Sequence, residues 1–268
     1  MRDLLIISIV AVAAVLALRR PWVGVLLWTW LSIMNPHRFA WGIAYSAPLA
    51  AIAAGCTLVG LIFTRERQSP FQGPPVTIFV MLALWITVSW LLGVDVDGDY
   101  PQWTKVMKIY FMTLVALCLL RTKQQIVAFA WVTTGSLALL GAKGGLFTIL
   151  TGGSYRVWGP PESFIADNNE FALSLIMAIP LMYFLLQQLT KRWQKHIMAA
   201  TMLLCVAAAA GSQSRGALVA IVGMGSVFWW RSRNKLTVAV IICLLSVFAL
   251  PLMPETWWTR MRTIQNYE

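Results

Sequence analysis

One arginine stands where an arginine costs most. Arg215 sits in the polar break Gly211-Ser212-Gln213-Ser214-Arg215-Gly216, between the apolar runs 197–210 and 217–230. Charge beside hydrocarbon costs roughly 2.5–3.5 kcal/mol for Arg at the centre of a membrane helix, so such a residue belongs at a helix end or in a site. Arg156 lies in Tyr155-Arg156-Val157-Trp158-Gly159-Pro160, which runs on to Asp167-Asn168-Asn169-Glu170. Guanidinium forks match phosphate oxygens in bidentate fashion. Helix amino ends add free N–H donors and a partial positive charge.

Ser212 or Ser214 is placed to cap a helix over 215–230, and Asp167 with Glu170 resembles a capping box for a helix over 169–189. Two helix amino ends, each with a nearby arginine, then face one side, with Asn168, Asn169, Tyr155 and Trp158 around them. That combination suits an anionic, phosphate-bearing ligand. The competing reading is that Arg156 and Arg215 reach lipid phosphates or pair with Glu162 and Asp167. His37, in Asn35-Pro36-His37-Arg38, is a chemically competent general base, or else an interfacial turn residue. Asp95-Val96-Asp97-Gly98-Asp99 lacks the later ligands of a calcium loop and reads as a solvated turn. Phosphate loops, dinucleotide fingerprints, zincin pairs and nucleophile elbows are missing from the sequence, so it implies neither a metal nor a cofactor.

The elements that must position these residues are membrane helices. Hydrophobic residues make up 59% of the chain, charged residues 12%, and mean hydropathy is +0.72. Soluble proteins carry about 25% charged residues. A span needs ~20 mostly apolar residues, and about ten segments qualify: 3–18, 21–34, 43–64, 75–94, 104–120, 125–142, 169–189, 196–211, 215–230 and 236–254. Residues 1–20 look weakly like a signal peptide but read as a retained first helix. The expected architecture is therefore all-α and polytopic: one membrane domain over 1–254, long loops at 70–75 and 141–169, and the start of an outer segment at 255–268.

The net charge of +11 is spread in small clusters between apolar runs, which speaks for topology and against nucleic acid. Connections after the odd segments hold Arg19, Arg20, Arg65, Arg67, Arg121, Lys123, Lys191, Arg192, Lys195, Arg231, Arg233 and Lys235 against the single acid Glu66. The remaining acids fall on the other side, which places Arg156 and Arg215 outside. Tryptophans, among them Trp22, Trp90, Trp103, Trp193 and Trp257, gather at segment ends as interfacial anchors. Cys56, Cys118, Cys205 and Cys243 each lie inside an apolar run without paired spacing, so neither a disulfide frame nor a metal site is indicated and buried inert thiols are expected.

The external arginine followed by Gly-Pro and Asn-Asn, the Ser-Gln-Ser-Arg-Gly break, and the opening stretch from Arg19-Arg20-Pro21-Trp22 to Asn35-Pro36-His37-Arg38 resemble the O-antigen ligase and polymerase superfamily of bacterial inner membranes. Within it the closest likeness is to exosortase-associated O-glycosylation ligases. The resemblance implies a metal-independent glycosyltransferase with a periplasmic active face. Its donor would be an undecaprenyl-diphosphate-linked oligosaccharide, and its acceptor lipid A–core or another periplasmic group. The family's arginine motifs fall on Arg156 and Arg215, and its polar pair on Asn168 and Asn169. It also implies a large later loop with an essential histidine, so the chain is expected to be the amino-terminal part of a longer protein. Polymerase and ligase share this donor chemistry. A transporter or flippase of an anionic lipid-linked substrate is the alternative from another class, set back by the absence of ionisable groups from the expected segment interiors.

Overall fold

In the computed structural model, the described residues are 2–237 except 66 and 72, together with 239, 240, 243, 255, 258 and 259. The tenth expected segment, 236–254, and the outer segment, 255–268, lie largely outside them. Every regular element among the described residues is a helix. The chain divides into two compact units, Met1–Val132 and Thr133–Glu268.

The amino-terminal unit begins with α1 (Arg2–Arg19) and α2 (Pro21–Met34). Pro21 separates them, because the residue before a proline is pushed out of the helical region, and Arg20 sits at φ −132°, ψ 81°. Asn35 ends α2 in the left-handed conformation and sends its N–H to the Leu31 carbonyl. A short 3-10 turn over Pro36–Phe39 follows. The expected span 43–64 is in fact two helices, α3 (Ile43–Ser46) and α4 (Leu49–Phe63). Ala47 is extended and Pro48 lacks the N–H a continuous helix needs. Small residues bring α1, α2 and α4 together: a Cβ on Gly24 would meet Thr57 and Ala17, and one on Gly60 the Ala17 carbonyl. The buried hydroxyls of Thr29 and Thr57 donate to the Val25 and Ala53 carbonyls, at 2.8 and 2.6 Å, so that both are satisfied within their own helices.

Helix α5 (Pro74–Leu91) pairs with α6 (Val96–Leu119) as an antiparallel hairpin. Aromatic contacts clamp it: Phe79 stacks on Tyr110 at 4.2 Å and Trp90 on Trp103 at 4.3 Å. The Trp103 indole N–H donates to Thr87 Oγ1 and that of Trp90 to the Val96 carbonyl. The acidic stretch is no free turn. Asp95 caps α6 by accepting from Gly98 N at 2.9 Å, which starts the helix two turns earlier than its apolar run suggests. No residue of α5 is buried.

The second unit holds most of α7 (Lys123–Leu150), then α8 (Asn168–Gln188), α9 (Arg192–Gly211) and α10 (Arg215–Arg231). Helix α7 runs through Lys143-Gly144-Gly145, where the glycine pair suggests a loop. The glycines carry packing instead: a Cβ on Gly145 would strike the Leu204 backbone, one on Gly141 the Cys205 Sγ, and one on Gly144 the side chain of Val157. Close approach of α7 to α9 outweighs a helix-propensity loss of ~1 kcal/mol per glycine. Phe171, Leu175, Met182 and Leu185 of α8 fill the centre with Cys205 and Ala208. Helix α10 leans on α8 and α9 through Ala172, Ile176, Ala209 and Ala217.

Four helices, Pro74–Leu91, Lys123–Leu150, Asn168–Gln188 and Arg192–Gly211, are long and apolar enough to cross a membrane. They mark the chain as a membrane protein, but the described residues hold four such helices where about ten spans were expected. The apolar helices α2 and α4 have 14 and 15 residues, less than a bilayer crossing needs. Cys56, Cys118, Cys205 and Cys243 carry no disulfide; Cys205 is buried, whereas Cys243 is exposed.

Candidate functional site

The polar break and the loop 151–167 form one hydrogen-bonded knot at the end of the second unit. Helix α7 closes with Gly152 and Gly153 at φ 59° and 73°, and Gly153 N donates to the Thr148 carbonyl. The loop then returns to the break. Val157 N donates to the Gly211 carbonyl at 3.1 Å, and Gln213 Nε2 to the Gly153 carbonyl at 3.1 Å. From the start of α8, Asn168 Nδ2 donates to the Ser212 carbonyl at 2.9 Å. The loop's own turn is as tight: Gly159 N donates to the Ala166 carbonyl, and a Cβ on Gly159 would collide with the Ile165 carbonyl.

Within the break each polar group has a structural task. Ser212 Oγ donates to the Ala209 carbonyl at 2.6 Å and accepts from Ser214 N. Ser214 Oγ accepts from Ala217 N and caps α10, as its position predicts. Gln213 adopts φ 55°, a left-handed conformation that costs a non-glycine residue roughly 1–2 kcal/mol, and its bond to Gly153 offsets part of that. Gly211 is glycine where a Cβ would strike the Thr148 side chain.

The site residues therefore separate into a scaffold and a rim. Asn168, Ser212 and Ser214 are buried, with relative exposures of 5%, 0% and 5%, and are committed to the bonds just described. Their bonds hold the loop, the break and the start of α8 together. Asn169, Tyr155 and Trp158 are exposed, and Tyr155 leans on Phe147 at 6.3 Å. Arg215 is exposed at the first position of α10, and Arg156 is half-buried beside the pinned Val157.

The two helix starts are not equivalent. Asp167 accepts from Asn169 N at 2.8 Å. That backbone N–H, more than any other group, holds its carboxyl below the ordinary 3.8, with help from the Asn169 side chain and the Glu170 and Asn168 N–H groups, against a raising effect of burial. The amino end of α8 is thus occupied by its own acids, Asp167 and Glu170. Helix α10 has no acid in its first turn, so an anion is favoured at α10 alone.

His37 and Arg38 belong to the amino-terminal unit. His37 is buried in the turn after α2, and the Arg38 guanidinium lies 4.8 Å over the Tyr45 ring. No group of three or more His, Cys, Asp or Glu is placed to hold a metal ion among the described residues. Sequence reading missed Gln213, Gly153, Gly211 and Thr148 as parts of the knot. The glycine pair 152–153 and an uncommitted glutamine in a short break were the available signals.

A sequence model of a family of unknown function, DUF5935, matches residues 1–190. That span takes in Arg156 and the start of α8 and stops short of the break at Ser212–Gly216. No curated protein and no solved structure matches the chain.

Proposed function

The chain belongs to the DUF5935 family, and we propose that this member transfers a glycan from an undecaprenyl-diphosphate carrier to an acceptor at the outer face of the bacterial inner membrane. The acceptor is lipid A–core or a similar periplasmic hydroxyl. Arg215, at the first position of α10, and Arg156, on the loop pinned to it, grip the diphosphate. As the acceptor oxygen attacks the anomeric carbon, the bond from that carbon to the diphosphate oxygen breaks. The electron pair leaves on the diphosphate, and the acceptor's proton passes to a base. Charge grows on the leaving group, where preformed donors count most. Asn168, Ser212, Gln213 and Gly153 hold the two arginine-bearing segments in register, so that little ordering remains to be done on binding.

The observation that carries this reading is the set of three bonds, Val157–Gly211, Gln213–Gly153 and Asn168–Ser212, that bind the Arg156 loop to the Arg215 helix start. The resemblance to O-antigen ligases supplies the substrate class. The test is transfer by the purified protein in bilayers, given lipid-diphosphate glycan and acceptor. Arg215→Ala should abolish transfer while leaving expression and melting unchanged. Undiminished transfer by that variant sinks the proposal, and elongation of the donor glycan in place of acceptor labelling assigns a polymerase.

A further inference from the structure

Three separate connections of the amino-terminal unit deliver their cations to one end of it, where the carboxyl ends of α1, α4 and α6 meet the amino ends of α2 and α7. A Cβ on Gly60, in the last turn of α4, would meet the Ala17 and Leu18 carbonyls of α1 and the Pro21 ring of α2. Trp22, Leu58, Leu61 and Phe129, each within two turns of a helix end, pack with Val25 and Leu119 in one cluster. Around it stand Arg19 and Arg20 between α1 and α2, Arg65 and Arg67 after α4, and Arg121 and Lys123 at the join of α6 and α7.

Backbone bonds hold these connections in place. Gln68 N donates to the Cys118 carbonyl at 3.1 Å and Gln68 Nε2 to the Leu117 carbonyl at 3.0 Å. The loop that carries Arg65 and Arg67 thereby covers carbonyls that the end of α6 leaves unpaired. Gln125 Oε1 accepts from the N–H groups of Arg121 and Thr122, at 2.8 and 3.0 Å. The cationic side chains themselves are exposed, and among the described residues none of the six makes an ion pair. Their connections hold a single acid, Glu66. Gly60 and Gln68 thus hold together charges that repel one another, a cost that a shared anion removes.

Neighbouring side chains say what carries the anion. Leu18, Ile62 and Phe63 adjoin the arginines at the ends of α1 and α4 and are exposed, Phe63 at 79%. The loop after Arg67 leads into α5 and Lys123 opens α7, both long and apolar enough to cross a membrane, so this end of the unit lies at a membrane surface. A soluble anion would leave the apolar side chains in water. A lipid covers them with its acyl chains while its phosphate meets the guanidinium forks.

We propose that Arg19, Arg20, Arg65, Arg67, Arg121 and Lys123 form a binding surface for the headgroup of an anionic phospholipid, with its acyl chains against Leu18, Ile62 and Phe63. It stands apart from glycan transfer. The purified protein in nanodiscs of phosphatidylethanolamine mixed with phosphatidylglycerol or cardiolipin is read by native mass spectrometry for retained lipid. Anionic lipid should be retained about tenfold or more over phosphatidylethanolamine, and less so as salt rises. The Arg65→Gln/Arg67→Gln/Arg121→Gln variant should lose most of that preference, and the Arg65→Lys/Arg67→Lys/Arg121→Lys variant should keep most of it. Lys191→Gln/Arg192→Gln/Lys195→Gln, which removes as much charge from a connection of the second unit, should leave it unchanged.

An undiminished preference in the first variant, an equal loss in the variant at 191–195, or displacement of the lipid by inorganic phosphate at the lipid's own concentration overturns the proposal. So does a wild type that shows no preference, a measurement that needs no substitution and decides the matter even where the first variant does not fold. Arg156 and Arg215 are intact in every variant, so failure here leaves the transfer proposal standing.

Discussion

Asn168 holds backbone at the join of two chain segments. Its Nδ2 is the donor to the Ser212 carbonyl, buried at the join of α8 and the break. Asn168→Ala leaves that carbonyl without its partner and should cost roughly 1–3 kcal/mol, read as a lower melting temperature. Asn168→Asp should not rescue it, because an ionised carboxylate cannot donate. Arg215 makes the contrasting case, exposed and without an acid in its own helix turn. Arg215→Lys keeps the charge but loses the fork, so transfer should fall by roughly tenfold or more while the fold is untouched, in keeping with the greater strength of bidentate pairs. Asp167 carries a pH signature. Its folded value lies below the ordinary 3.8, so its contribution is complete above the unfolded value and disappears as pH falls through the folded one. A melting series between pH 6 and pH 3 should slope downward in the wild type and flatten in Asp167→Asn.

Helix starts and helix contacts are the next scale. Ser214 caps α10 with a buried hydroxyl. Ser214→Ala should cost roughly 0.5–2 kcal/mol, and Ser214→Asp should retain most of the cap. The glycines of α7 divide by environment. A Cβ on Gly135 meets nothing within 4 Å, whereas one on Gly145 meets the Leu204 backbone, which cannot move aside. Gly135→Ala should therefore stabilise by about 0.5–1 kcal/mol, while Gly145→Ala should destabilise by about 1–3 kcal/mol. Thermal unfolding of the two variants side by side checks the sign. If both stabilise, α7 and α9 do not approach as closely as described.

For the whole molecule, the charge asymmetry predicts which face meets which compartment. In a cysteine-free background, a cysteine at position 156 should react with a membrane-impermeant maleimide in intact cells. One at position 193, among Lys191, Arg192 and Lys195, should react only after permeabilisation. The reverse pattern would move the arginine rim to the cytoplasm and remove it from any periplasmic reaction. The two compact units divide the basic features between them: Arg156 and Arg215 in Thr133–Glu268, the converging cations from Arg19 to Lys123 in Met1–Val132.

Composition alone determined that the chain is helical and membrane-bound, because 59% hydrophobic residues in long runs leave backbone groups nowhere to bond but within helices. Local chemistry determined the caps: a serine or an aspartate before an apolar run offers its oxygen to the first N–H groups wherever the helix is packed. Periodicity did not reveal that α7 continues through its paired glycines, that Pro48 splits 43–64, or that Asp95 starts α6 early. The continuation of α7 depends on contacts made far along the chain, as Gly145 makes with Leu204, whereas Pro48 and Asp95 act locally, through a missing N–H and a cap that the apolar runs do not mark. The candidate site divides the same way. Arg215 was legible because an arginine beside hydrocarbon needs a reason, and Arg156 because it lies on a loop leading to a capped helix start. That Asn168, Ser212 and Ser214 stand behind them was decided by the tertiary structure, since only the meeting of three chain segments buries those side chains and fixes their partners.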